Sequence, residues 1–250
     1  MIELGLIGWP LGHSQSPEYF AAKFRRLGIE GSYSLFPLKG IDDFPALLET
    51  HSGLRGFNVT IPYKQSILPY LSCISPEAEA IGAVNTVSIE RRDGKVIMSG
   101  YNTDCLGFRD SIAPLLGSMM DQPIHALILG TGGVSKAVAY GLTTLGIEHL
   151  FVSRHADGSD KIGYDELTAE IMDTHRLIVN CTPLGMWPDV DGCPDIPWNL
   201  LPANAVCYDL VYNPAVTEFM RQGAVRGAAV KNGLEMLHRQ ADAAWDIWRR

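Results

Sequence analysis

Residues 124–145 constrain the fold of this chain more than any other stretch. An apolar run at 124–129 ends in Gly130-Thr131-Gly132-Gly133, and a helical pattern follows at 134–145. A short buried strand, a glycine turn and a helix make the opening of a βαβ unit, which requires a parallel sheet covered on both faces. The rest of the chain keeps the same rhythm. Strands are expected at 2–8, 32–37 and 56–61, with helices at 17–27 and 41–48 and a short one near 64–71. Ser16 is expected to cap the first helix, with Pro17 at its first position. Segments 84–91 and 95–99 flank Asp93-Gly94, a hairpin signal that adds an antiparallel departure. Beyond Asp104 come a helix at 106–116, the glycine unit, a strand at 149–153 and a helix at 164–172. Strands at 177–181 and 205–211, a helix at 215–222 and a strand at 228–230 complete the series. The final helix, 234–248, sets Leu234, Leu237, Ala241, Ala244, Trp245 and Trp248 on one packing stripe, with Gln240 on the face of Gly233 and Met236. The expectation is an α/β chain: an N-terminal open, mostly parallel sheet domain, then a C-terminal Rossmann-type dinucleotide-binding domain.

Composition narrows the function. The 250 residues are 46% hydrophobic and 19% charged, as in a globular protein with an ample core. A net charge of −8 argues against a general nucleic-acid or acidic-membrane binder. The N-terminus lacks the basic stretch of a signal peptide, and no apolar run approaches the roughly 18 residues of a membrane helix. A cytoplasmic protein is expected. Cys73, Cys105, Cys181, Cys193 and Cys207 are odd in number, scattered and without a CxxC pair, so free thiols are expected. The seven histidines show no metal-ligand spacing, and no metal is expected; His13 alone stands beside candidate chemistry.

The glycine turn carries the first functional signal. Glycine allows a tight turn and close approach to a pyrophosphate, and the helix N-terminus offers free N–H groups and positive partial charge. The strict pattern would place a glycine at 135, where Ser135 stands. At the end of the next strand the chain reads Ser153-Arg154-His155, without the acid that holds the ribose 2′-OH of NAD about 20 residues on. Arg154 can pair with a 2′-phosphate, which favours NADP. Asp157 in the following loop keeps NAD open.

The second signal is Asn58-Val59-Thr60-Ile61-Pro62-Tyr63-Lys64. Asn58 and Thr60, two apart, share a strand face. Pro62 stops the strand, and Lys64 lies just past its end, where open α/β sheets carry functional groups. Two neutral hydrogen-bonding groups and one cation suit a small polyhydroxylated acid.

Four further motifs complete the pattern: Ser14-Gln15-Ser16-Pro17, Gly82-Ala83-Val84-Asn85-Thr86, Gly100-Tyr101-Asn102-Thr103-Asp104, and Gly233-Leu234-Glu235-Met236-Leu237 with Gln240. With Asn58–Lys64 and the glycine turn, they resemble the shikimate dehydrogenase family in the same order along nearly the whole chain. The resemblance implies that Ser14 and Ser16 bind the substrate carboxylate. It implies that Asn58, Thr60, Asn85, Asp104 and Gln240 bind ring hydroxyls, and that Lys64 and Asp104 are the catalytic pair. Tyr212 resembles the tyrosine that approaches substrate from the cofactor domain. The run Asn180 to Met186 resembles the loop near the nicotinamide ribose. The implied cofactor set is Gly130, Thr131, Gly132, Gly133, Val134, Ser153, Arg154, Thr182, Met186 and Gly233. The final helix is implied to return to the first domain, so 1–103 with 231–250 would bind substrate and 104–230 would bind NADP. Cys105 replaces the family's glycine after Asn-Thr-Asp, and Ser153 and His155 replace its usual Asn and Thr.

The implied reaction is reduction of the ring ketone of 3-dehydroshikimate by NADPH, giving shikimate, a step of aromatic amino acid (chorismate) biosynthesis. Lys64 is the one group of the constellation that is cationic and able to give a proton. The alternatives are a quinate/shikimate dehydrogenase of broader cofactor use, a folate-type dehydrogenase of similar shape, and a non-catalytic dinucleotide-sensing regulator. The partner is a small molecule, and a monomer or homodimer is expected. The two-domain reading further implies closure about hinges near 101–106 and 230–233.

Overall fold

The computed structural model describes residues 1–12, 14–117, 123–156 and 160–250. His13 and Asp157 lie outside the described residues. The chain forms two compact units, Met1–Thr103 with Ala241–Arg250, and Asp104–Gln240.

The first unit runs β1 (Ile2–Gly8), α1 (Ser16–Leu27), β2 (Gly31–Pro37), a 3₁₀ turn into α2 (Phe44–Thr50), β3 (Leu54–Val59), β4 (Cys73–Ile74), α3 (Pro76–Ile81), β5 (Thr86–Arg92) and β6 (Lys95–Tyr101). Its sheet has the order β2-β1-β3-β5-β6-β4. The pairs β1·β2, β1·β3 and β4·β6 are parallel, while β3·β5 and β5·β6 are antiparallel. The expected hairpin turn has Asp93 and Gly94 at φ 51 and 72, the pair of left-handed residues that a type I′ turn needs.

Two expectations change here, and two elements are added. Ser16 is not the cap of α1: the helix begins at Ser16, its N-cap is Gln15, and Ser14 Oγ accepts the Ser16 N–H at 3.3 Å. The helix expected near 64–71 is a run of turns with one 3₁₀ segment, Leu68–Tyr70. Pro69 has no N–H to give an α-helical ladder. The sequence reading missed β4 and α3, although α3 carries a Ser75 cap (Ala78 N–H to Ser75 Oγ, 3.3 Å) and Gly82 in the left-handed region beyond its end.

The second unit contains α4 (Asp104–Leu116), β7 (His125–Leu129), α5 (Gly133–Thr144), β8 (Glu148–Val152), β9 (Lys161–Ile162), α6 (Ala169–Thr174), β10 (Leu177–Asn180), β11 (Val206–Asp209), α7 (Glu218–Val225) and β12 (Ala229–Lys231). The sheet order is β12-β11-β10-β7-β8-β9, parallel throughout. Alternate residues feed two cores. Ala126, Ile128, Leu177, Val179, Val206 and Tyr208 pack on one face, while Leu127, Leu129, Ile178 and Cys207 pack on the other. That explains the unbroken apolar runs.

The helix expected at 164–172 is split into a 3₁₀ turn, Tyr164–Glu166, and α6, because Thr168 caps a new helix by accepting the Ile171 N–H. Thr217 likewise starts α7 by accepting the Met220 N–H, three residues later than expected. The strand β9 was not foreseen.

The last helix, α8 (Leu234–Trp248), contributes to both units. Its first half groups with Asp104–Gln240, where the sequence boundary had put residues 231–240 with the first domain. Met236 joins the core of Phe108 and Ile112, while Leu234, expected on the buried stripe, is exposed. Its second half packs Ala241, Ala244, Trp245 and Trp248 with Phe20 and Phe24, and Trp248 Nε1 donates to Val87 O at 2.9 Å.

Candidate functional site

In the first unit the polar motifs gather at one end of the inner strands. Ser14 lies beyond the C-terminal end of β1, Asn58 near and Thr60 just past the parallel end of β3, and Asn85 just before the start of antiparallel β5. Asn102 and Thr103 leave β6 at the same end. Lys64 is half-buried, and its backbone carbonyl accepts the Val84 N–H at 2.8 Å beside Asn85. Thr60 is half-buried, with its N–H on Ile7 O at 2.9 Å.

Hydrogen bonds orient the two buried amides. The Thr103 N–H donates to Asn85 Oδ1 at 2.7 Å, as do the hydroxyls of Thr103 (3.1 Å) and Thr86 (3.0 Å). A backbone N–H can only donate, so Asn85 turns its oxygen inward and leaves Nδ2 to give to a ligand oxygen. Asn58 is opposite in sense. Its Nδ2 donates to Asn85 O (3.1 Å) and Thr86 Oγ1 (3.0 Å), and its Oδ1 accepts the Tyr33 hydroxyl at 2.7 Å. One Oδ1 lone pair remains to accept from a hydroxyl. Burial pushes the Tyr33 hydroxyl pKa up, and a hydrogen bond with the Ser16 side chain partly offsets it. The Tyr33 hydroxyl so joins Ser16 to Asn58, while its ring stacks on Phe20 at 4.5 Å. Asp104, the next residue after Thr103, is the buried first residue of α4 in the second unit.

In the second unit, Gly130 has φ +97, open only to glycine at low cost. Gly132 caps α5 without a side chain, so the N–H groups of Gly133 and Val134 stay available for an anion. Thr131, Gly132 and Gly133 are exposed. Ser135, in place of a third glycine, is buried and donates its hydroxyl to Gly132 O at 2.6 Å, so the departure is absorbed inside the turn. The strand order reverses between β7 and β10, the switch point where open α/β sheets bind ligands. Thr182 lies there; its methyl is 3.0 Å from where a Cβ on Gly130 would sit. Met186 is exposed in the same loop. Gly233 is buried against Leu210 O, which a Cβ would meet at 2.1 Å, and its N–H donates to Val211 O at 3.2 Å.

Arg154 is exposed beside a cavity of about 620 Å³, with Ser153, Tyr164, Asp165, Glu166 and Asp195 also lining it. Ser153 is buried, and its Oγ accepts the His155 N–H at 3.1 Å. Burial raises the Tyr164 pKa, and the Arg154 charge opposes it. Glu166 is engaged by the Gly163 N–H at 2.6 Å. Tyr212 is half-buried after β11, and burial raises its pKa. Gln240, half-buried on α8, donates Nε2 to Leu237 O at 3.1 Å.

The structure thus brings Ser16, Asn58 and Asn85 into one network through Tyr33, Thr86 and Thr103. It brings Gly130 and Thr182 together at the switch point. Asp104, Tyr212 and Gln240 belong to the second unit. The sequence reading passed over Tyr33, Thr86 and Thr103, though two of the three lay inside its motifs. It also passed over Asp209, an acid ending an otherwise apolar strand. Among the described residues no group of three or more His, Cys, Asp or Glu is placed to hold a metal ion, and no helix is long and apolar enough to cross a membrane.

Residues 6–87 match the model of the shikimate dehydrogenase substrate binding domain. The shikimate dehydrogenase (NADP(+)) of Crocosphaera subtropica is 37% identical, over 98% of this chain and 90% of its own. The Thermus thermophilus shikimate 5-dehydrogenase, solved with NADP(H) and shikimate, is 33% identical with a TM-score of 0.83, covering 99% of this chain and 93% of that one. The Listeria monocytogenes enzyme, solved with shikimate and NAD, is 26% identical with a TM-score of 0.85, covering 100% and 92%.

Proposed function

This chain belongs to the shikimate dehydrogenase family, and from that premise we propose how its residues divide the work. It is an NADP-dependent oxidoreductase of a CH–OH group, interconverting 3-dehydroshikimate and shikimate in aromatic amino acid biosynthesis. Residues 1–103 bind substrate and 104–230 bind NADP, with Gln240 on α8 adding to the substrate side.

The amide pair carries the reading. Asn85 can only donate outward and Asn58 can only accept, a combination that distinguishes hydroxyl-bearing carbons from apolar ones. Ser14, Ser16 and Thr60 supply neutral donors; the serines take the carboxylate and Thr60 a ring hydroxyl. Lys64 holds a proton at Nζ and gives it to the ketone oxygen as negative charge develops there. Asp104, its partner acid in the family resemblance, accepts from the reacting hydroxyl. Tyr212 and Gln240 orient the ring. In the reverse direction Lys64 takes the proton back.

The second unit suits a dinucleotide: a turn at φ +97, uncapped N–H groups at α5, and a cation beside a cavity. Gly130 to Val134 would hold the pyrophosphate, Ser153 and Arg154 the adenosine side, and Thr182, Met186 and Gly233 the nicotinamide side. Bound NADPH supplies the hydride. The protein acts in the cytoplasm as a monomer or homodimer, and its net charge of −8 favours a small-molecule partner over nucleic acid. The test is Lys64→Ala. A general acid contributes about 10²–10⁴ in rate, so turnover falls by that factor while substrate affinity holds. Near-normal turnover removes the role.

A further inference from the structure

Asp209 ends β11 with its side chain wholly buried, and none of the roles above uses it. It faces Asn180 in the parallel ladder, so the two residues stand where two loops leave the sheet together. Both carboxylate oxygens are occupied. Oδ1 accepts from Asn180 Nδ2 at 3.0 Å and from the Val211 N–H at 3.0 Å, while Oδ2 accepts from Thr217 Oγ1 at 2.6 Å.

Each partner passes the constraint outward. With its Nδ2 held, Asn180 must present Oδ1 to the Thr182 N–H (3.0 Å) and hydroxyl (2.7 Å), and Thr182 Oγ1 in turn accepts the Leu184 N–H at 3.3 Å. That fixes the Thr182 methyl against the Gly130 turn. Val211, the second partner, precedes Tyr212 and binds the Gly233 N–H through its carbonyl at 3.2 Å. The third partner, Thr217, starts α7. The first of these loops leaves β10 at the switch point beside β7, and the second leaves the neighbouring strand β11.

A buried carboxylate is an expensive way to join structure, because desolvation opposes its charge and apolar packing would serve stability better. What it supplies is orientation: two of its partners can only donate, so only an acceptor there holds both. We infer that Asp209 is a positioning residue, its carboxylate setting the loops at 181–186 and 210–217 in the shape the cofactor crevice requires. This rests on the NADP-dependent reading above.

Conservative replacement separates positioning from bulk stability. An Asn at 209 can keep its oxygen toward Asn180 and Val211 and turn its nitrogen to Thr217 Oγ1, whose hydroxyl can reverse. Ala keeps none of the three bonds. The test varies NADP and shikimate in turn at steady state, with direct NADPH binding, on full-length wild type, Asp209→Asn, Asp209→Ala, Asn180→Ala and the double Ala variant. Wild-type turnover in the same assay checks the underlying reading separately. Losing a charge-assisted bond corresponds to about a ten-fold rise in KM for NADP, expected for Asp209→Ala and larger than the rise for shikimate. Asp209→Asn is expected to stay within about three-fold of wild type. Asn180→Ala is expected to match Asp209→Ala, and the double variant to be no worse than either, since both cut one link. If Asp209→Ala does not fold, Asn180→Ala, which keeps the carboxylate, decides by the same rise in KM. A KM for NADP within about two-fold of wild type in both Ala variants, or an Asn variant as impaired as the Ala variant, overturns the inference.

Discussion

The two units organise their polar residues by different chemistry. In the first, Asn58, Asn85, Thr86, Thr103 and Tyr33 form a buried network of amides and hydroxyls. In the second, a carboxylate anchors the corresponding loops through three donors. Neutral groups lose less on burial and can be packed densely beside a ligand whose own groups are hydroxyls. A carboxylate imposes direction on more donors at once, at the cost of desolvation. One network should therefore ignore pH across the range where the other titrates. That contrast can be broken experimentally.

The largest effect is expected at Lys64. Its replacement by Ala is expected to remove about 10²–10⁴ from turnover with KM for NADP unchanged, because a general acid acts on the reacting oxygen rather than on dinucleotide binding. Parallel loss of NADP affinity would mean that the two regions are not separable in this way.

Next comes the pH dependence of stability. Burial raises the Asp209 pKa to about 6 from 3.8, against hydrogen bonds from Thr217, Val211 and Asn180 that lower it. The folded protein then binds the proton more tightly than the unfolded chain. Stability from this group is fullest below the unfolded value and is lost as pH rises through about 6. The whole effect is about 3 kcal/mol. Three thiols feel the Asp209 charge: burial raises Cys181, and holds Cys193 and Cys207 up at about 12, so these remain neutral there. Denaturant unfolding from pH 4 to 8 should show this slope in wild type and lose it in Asp209→Asn. The same slope in the Asn variant would assign it elsewhere. A comparable slope removed by Tyr33→Phe would erase the contrast between units.

Arg154→Ala tests the cofactor side alone. A charge-assisted bond of roughly 1.5–3 kcal/mol predicts a rise of about ten- to a hundred-fold in KM for NADP and little change for NAD. Equal changes for both dinucleotides would remove Arg154 from 2′-phosphate recognition. Smallest is Tyr33→Phe, which keeps the stacked ring and deletes one hydroxyl. At about 0.5–1.5 kcal/mol, KM for shikimate should rise roughly two- to twelve-fold, with KM for NADP unmoved. No change in either constant would leave the Tyr33 bond to Asn58 purely architectural.

How much of this was legible follows from where each partner lies in the chain. The Gly130 turn was readable because a left-handed backbone selects glycine locally, and the Asp93-Gly94 hairpin for the same reason. The Ser75 cap, Pro76 and Gly82 around α3 were equally local signals, missed because the helix is only six residues long. Ser16 was misread as a cap because one extra residue joins the helix, a choice made by the Ser14 Oγ bond to its N–H. The polar networks were not legible as networks. Tyr33 meets Asn58 across 25 residues and Asn180 meets Asp209 across 29, so their pairing depends on parallel register rather than spacing. The face of α8 that is buried changes at Gln240, where the helix passes from one unit to the other. A single stripe drawn along it therefore put Leu234 inside and left Met236 out.

The most direct measurement is a single assay: purified protein with NADP, followed by NADPH formation on addition of shikimate, for wild type and Lys64→Ala. Wild type is expected to form NADPH only when shikimate is added, with turnover reduced about 10²–10⁴ in the variant at similar KM. Shikimate binding without NADPH formation by wild type, or equal turnover in the two proteins, would contradict it.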